Sequence, residues 1–278
     1  MIMWNAIHSS SCALNNNPDL QSSVLFSARY SAFLEPLQLR FPQTCKLRLG
    51  RNMSPPGWNI MSISRVITQR GQSRKEEIAN SISHGVGLAA AIIAAPFLIA
   101  NALPAGNKEF LVGTSLFVAT MVLLYLASAL YHALPTGKVK QRMQVIEHSA
   151  IFLLIAGTYT PFTLGALRGA WGWTLLGLVW GLAIAGVSLK AFYGISHPRV
   201  FTCLYLFMGW LVLIAVKPLY VHIPLPGLVW LAAGGVAYTV GVAFYAAGSR
   251  LRYSHFIWHL FVMGGTACHY FAVFRYAA

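Results

Sequence analysis

Seven apolar runs of bilayer length, separated by short polar gaps, occupy the chain from residue 84 to its end: approximately 84–104, 110–133, 148–166, 171–191, 200–217, 225–247 and 255–275. About 20 residues at a rise of 1.5 Å cross a hydrocarbon core of ~30 Å, and a backbone in lipid must satisfy its hydrogen bonds within each segment. A helix is the economical solution for runs of this kind. The gaps hold Pro, Gly and charge, as in Pro135-Thr136-Gly137-Lys138 and Ser196-His197-Pro198-Arg199, which are stop signals followed by short turns. Connections this short make successive helices antiparallel. The expected fold is therefore an all-α integral membrane protein, a seven-transmembrane helix bundle.

Composition agrees. Only 9% of the residues are charged against 57% hydrophobic, where soluble domains carry roughly 25% charged residues. The 20 Lys and Arg outnumber the 6 Asp and Glu, for a formal net charge of +14. An excess of this sign suits nucleic acid or an anionic membrane surface. The basic residues sit in the tail and in the gaps between apolar runs, with no patch interleaving Arg and aromatics, so nucleic acid is excluded as a partner and membrane lipids are expected. Arg65, Arg70, Arg74, Lys75, Lys138, Lys140, Arg142, Lys190, Arg199, Arg250 and Arg252 collect on one side of the spans; Lys108, Arg168, Lys217 and Arg275 fall on the other. By the positive-inside rule this places the N-terminus in the cytoplasm and the C-terminus outside. Cys12, Cys45, Cys203 and Cys268 are far apart and form no CxxC, which supports neither a disulfide framework nor a thiolate metal site.

Residues 1–72 lack helical or strand periodicity and are rich in Ser and Arg. They are expected to form a poorly ordered extension outside the membrane domain, 73–278. A targeting segment and an over-long start upstream of Met61 both account for them. Ser73-Arg74-Lys75-Glu76 reads as a capping box opening an entry helix before the first span. In the fourth span Gly177, Gly181 and Ala185 recur every fourth residue, the spacing of a close-packed helix face. Trp171, Trp173, Tyr193 and Tyr220 fall at span ends, as interfacial anchors do.

Ionisable groups within spans are costly and mark functional sites. Ser128 and His132 are four apart near the end of the second span, Glu147 and His148 open the third, and His255 and His259, again four apart, begin the seventh; His84 opens the first. All lie at one membrane level. A single span-end histidine is ordinarily an interfacial hydrogen-bonding group. An i, i+4 pair facing one way is the spacing of helical metal sites, and three imidazoles with a nearby carboxylate match a zinc site that keeps a position for water. Glu147 and His148 are about 100° apart on a helix, and Glu147 is expected to face the metal. His269, ~15 Å along the helix from His259, is too far to join. The seventh span has no Lys, which excludes a retinal Schiff base.

The stretches Glu76–Gly85, Ser128–His132, Glu147–Pro161 and Ser254–His259 resemble the hemolysin III family, the bacterial branch of the progestin and adipoQ receptor superfamily. The resemblance covers roughly residues 75–276 in register with the spans. It implies a seven-helix bundle in a bacterial plasma membrane and an intramembrane zinc near the cytoplasmic face, held by His132, His255 and His259. Glu147 and Ser128 would then border a bound water as catalytic groups, with His84, His148 and Asn80 around them. The family usually has Asp at the position of Glu147, and the extra methylene leaves two roles open, direct ligand or base. Three functions follow as expectations: zinc-dependent hydrolysis of a lipid amide, a zinc-stabilised sensor or regulator without catalysis, and the channel-forming cytolysin of the family name. A pore needs a polar lining, which apolar spans do not supply.

Overall fold

The computed structural model describes residues 71–248 and 250–278. They belong to the unit Val66–Ala278; the expected N-terminal extension lies outside the described residues apart from Gly71 and Gln72. Helices run in chain order as α1 (Arg74–Ala102), α2 (Lys108–Ala133), α3 (Lys138–Leu164), α4 (Ala170–Tyr193), α5 (Pro198–Trp210), α6 (Val216–His222), α7 (Leu225–Ala246) and α8 (Ser254–Tyr276), with no strand among the described residues. Two 3-10 turns, Leu103–Ala105 and Leu211–Ala215, extend α1 and join α5 to α6. Seven segments are long and apolar enough to cross a membrane, Pro198–His222 counting as one. The expected all-α, seven-span architecture is thus present.

Local chemistry sets the helix starts. The Ser73 hydroxyl accepts from the Glu76 N–H, and the Glu76 carboxylate accepts from the Ser73 N–H at 2.9 Å. This capping box opens α1 itself, with no separate entry helix. Asn107 caps α2 by accepting from the Phe110 N–H at 3.1 Å. Helix α3 begins ten residues before His148, so Glu147 and His148 sit inside a helix and do not open it. Apolarity marks only the lipid-exposed length of a helix, and the polar first turns of α1 and α3 carry no such mark.

Pro218 breaks the fifth span. It has no N–H, and its ring crowds the carbonyl four residues back, which lies in the Leu211–Ala215 turn. The Tyr159 hydroxyl serves the disturbed backbone, accepting from the Val212 N–H at 3.0 Å with the Met208 and Gly209 carbonyls each 2.8 Å away. Lys217, expected at the outer end of the fifth span, lies inside it, because the span continues to His222.

Helix α2 packs between α1 and α3, α8 between α1 and α7, and α4 against the outer side of α3, while α5 touches its neighbours sparsely. Gly157 lets α3 approach α2 closely: a Cβ there would strike the Thr120 hydroxyl oxygen. The stripe Gly177, Gly181, Ala185 does not pack inside the bundle. All three are exposed, and the buried face of α4 is Gly172, Leu175, Val179, Ala183, Gly186 and Lys190. Each stripe residue follows a buried one by two positions, about 200° around a helix, so the stripe points away from the core. Gly186 meets the Phe152 ring instead. Lys190, expected among the exposed interfacial charges, is only 1% exposed and lays its ammonium 3.9 Å from the centroid of Phe201, an electrostatically favourable contact for a cation withdrawn from water.

Candidate metal centre

Three helices converge on one buried cluster. His132 ends α2, Glu147 lies in α3, and His255 and His259 occupy the first turns of α8; one ligand atom from each falls within 4.8 Å of all the others. Zinc holds nitrogen ligands at about 2.0–2.1 Å, so donors of one tetrahedral site stand about 3.4 Å apart. Small side-chain rotations close that difference. His132, Glu147 and His259 are at most 3% exposed.

Hydrogen bonds select the imidazole tautomers. His132 Nδ1 lies 2.8 Å from Glu77 Oε2, and a carboxylate only accepts, so Nδ1 carries the proton. The Ser83 hydroxyl has one proton and donates it to the Asn80 carbonyl at 2.8 Å; it therefore accepts from His259 Nδ1, 3.0 Å away. In both rings the Nε2 lone pair remains. The Nε2 atoms of His132, His255 and His259 are buried and without a hydrogen-bond partner in the protein. Buried polar atoms are rarely left so, and three converging lone pairs beside a carboxylate fit a divalent cation.

The carboxylate is held as well. Ser128 donates to Glu147 Oε1 at 2.6 Å, the same oxygen lies 3.6 Å from His132 Nε2, and Glu147 Oε2 stands 3.9 Å from His148 Nε2. Glu147 rather than His148 thus faces the cluster. His148 turns outward into a neighbouring cavity, and its carbonyl accepts from Tyr205. His84 stacks face to face on His259, with centroids 3.5 Å apart and planes 8° apart, so it lies against a cluster member outside the four-residue group. The Asn80 side chain donates to Gln72, and its backbone carbonyl accepts from Ser83, which holds His259. His269 lies away from the cluster and bonds the Leu231 carbonyl.

Glu77, Lys140 and Ser83 are missing from the set expected from sequence. Lys140 sits 2.9 Å from the Glu77 oxygen that receives His132, giving a Lys–carboxylate–histidine chain aimed at the cluster. Glu77, Asn80 and His84 follow one another at spacings of three and four in α1, a helical face that was available as a signal. Glu76 also ties α1 to the start of α8, accepting from the Tyr253 N–H at 2.9 Å. Carboxylates behind metal-bound histidines raise affinity about 10–100-fold. Glu77→Gln is expected to weaken metal binding by that factor, read by competition with a chromogenic chelator; unchanged affinity would refute the role of Glu77.

A family model described as haemolysin-III related matches residues 72–270. The chain belongs to the haemolysin-III related family. It is 44% identical to the hemolysin-3 of Bacillus cereus over 210 residues, which cover 76% of this chain and 95% of that protein. The hemolysin-3 homolog of Bacillus subtilis (strain 168) is 46% identical over 202 residues, covering 73% and 94%. Membership and the seven spans make this an integral multi-pass membrane protein. The human monocyte to macrophage differentiation factor is 29% identical over 164 residues, covering 55% of this chain and 65% of that protein, and extends the likeness to the progestin and adipoQ receptor superfamily. No solved structure matches the chain significantly. Every haemolysin-III stretch noted in the sequence contributes a residue to the cluster or to the hydrogen bonds around it.

Proposed function

We propose that this haemolysin-III related protein is a zinc-dependent hydrolase of lipid amides in a bacterial plasma membrane. One observation carries the reading: an apolar cavity lies beside the cluster, its wall formed by side chains that touch the cluster residues. A cavity of about 130 Å³ is lined by His148, Tyr245 and Trp258 at its near end. Trp258 packs against His255 and His259 with centroids 4.8 and 5.3 Å away, and Tyr245 lies 6.0 Å from His255. A second space of about 260 Å³ continues from it. A hydrocarbon chain fits such walls, and its polar end would meet the cluster.

His132, His255 and His259 would hold the ion. Bound there, zinc supplies a Lewis acid and lowers the pKa of water toward neutrality. Glu147 takes a proton from the attacking water at the oxygen that Ser128 leaves unbonded, and Ser128 fixes the carboxylate by occupying Oε1. Water adds its oxygen to the carbonyl carbon, the C–N bond breaks, and the amine departs with the proton returned from Glu147; the second water proton stays on the acyl part until the acid ionises and passes it to the amine, leaving a carboxylate and an ammonium. The bundle excludes bulk water, which strengthens each of these polar contacts.

The full-length protein, purified in lipid nanodiscs, is expected to hold about one zinc per chain and to release fatty acid from an N-acyl amide. Stripping with a chelator should stop release, and zinc should restore it. Bound zinc without turnover on any lipid amide would leave the sensor reading, in which the ion joins α2, α3 and α8.

A further inference from the structure

The hydrogen-bonding groups where the two cavity spaces meet are almost all committed. Thr158 donates to the Leu154 carbonyl, Tyr159 serves the broken fifth span, Trp210 donates to Thr239, and Thr239 donates to the Gly235 carbonyl. Thr266 gives its proton to the Val262 carbonyl, so Tyr238 is the donor in the 2.8 Å bond between them. None of these groups has a proton left for a ligand.

His269 is the exception. It lines both spaces. Its Nε2 faces the Leu231 carbonyl at 3.2 Å, and a carbonyl only accepts, so Nε2 carries the proton and Nδ1 presents a lone pair. Nδ1 is buried and has no partner. The ring is held in place by Tyr238, 5.4 Å away edge to face, and by Gly234, where any Cβ would strike it. This junction therefore offers one fixed acceptor and no donor in an apolar wall.

We infer that His269 is a specificity-determining residue that selects an acyl chain carrying a hydroxyl group. An ammonium donor would lose more on leaving water than one neutral acceptor returns, and an amide would bring a carbonyl that finds no donor here. A hydroxyl needs only the acceptor. Its position follows from the helix: His269 is ten residues beyond His259, ~15 Å along α8. An extended chain advances ~1.27 Å per bond, from 3.8 Å across three bonds, so the hydroxyl belongs about 12 bonds from a carbonyl placed at the cluster. The amide end of this assignment rests on the hydrolase reading.

The test is binding, which needs no turnover. Calorimetry on the full chain in nanodiscs would compare N-methyldodecanamide with its 12-hydroxy and 12-methoxy derivatives. The hydroxy compound is expected to bind about tenfold tighter than the other two, as one desolvated hydrogen bond allows. His269→Phe, which keeps the ring volume and removes the acceptor, should abolish the preference; the ratio between proteins cancels partitioning into lipid. Should that variant fail to fold, the methoxy compound still decides, because it keeps the oxygen and lacks the proton. Equal binding of all three to the wild-type protein means water alone satisfies His269 and overturns the inference while leaving the hydrolase reading intact. Binding of none overturns both.

Discussion

Replacing His259 or His132 by Ala is expected to release the metal and to lower the thermal midpoint by roughly 5–11 °C. The magnitude follows from linkage. Loss of a direct ligand should exceed the ~100-fold upper effect of an outer partner, and a 100-fold loss at saturating metal removes about 2.7 kcal/mol from the folded state. For a domain of this size 1 kcal/mol shifts the midpoint by about 2–4 °C. The bundle should still insert, because its helices satisfy their own backbone and the ion only fastens α2, α3 and α8 at one level. Inductively coupled plasma mass spectrometry and a thermal scan, each with and without added zinc, check this. Full zinc occupancy in both variants would sink the ligand assignment. Equal midpoints with and without zinc in the wild type would show that the cluster contributes nothing to folding.

Glu147→Gln is expected to keep the metal and to lose about 10²–10⁴-fold in turnover, the usual worth of a general base. The amide preserves the shape of the side chain and can still accept from Ser128, so position is retained while basicity is lost. Glu147→Asp separates the two roles that the longer side chain leaves open. With the base acting on water, the shorter carboxylate should retain turnover well above Gln. With Glu147 as a fourth ligand, Gln should instead lose metal together with activity. Metal content measured beside the rate therefore distinguishes base from ligand, and undiminished turnover in Glu147→Gln would remove Glu147 from the chemistry.

Much of the site was legible because a membrane makes buried polarity conspicuous. Ser128, His132, Glu147, His255 and His259 stand out in apolar runs, and their spacing of four fixes a shared helix face. Their convergence was expected from span ends at one level, and the structure brings together four groups that could hold a metal ion. Ser83 and Lys140 were not legible as partners, and Glu77 was legible only as part of the α1 face it shares with Asn80 and His84. Only the approach of α1 to α2, α3 and α8 gives Glu77 and Ser83 a histidine to hold and Lys140 the Glu77 carboxylate. The stripe of Gly177, Gly181 and Ala185 failed for the converse reason. Periodicity identifies a face but not what the face meets, and α4 buries the opposite side.

The number of spans and the polar side chains that gather into the cluster were readable from the chain itself. Bilayer thickness sets the length of each apolar run, and every helix closes its own hydrogen bonds, so these properties are local. Only the packing of the helices shows which nitrogens are left without partners, which side of α4 is buried, and that one apolar cavity is lined both by His269 and by the neighbours of the cluster, His148, Tyr245 and Trp258. Those depend on contacts between residues far apart in the chain, and no local pattern encodes them.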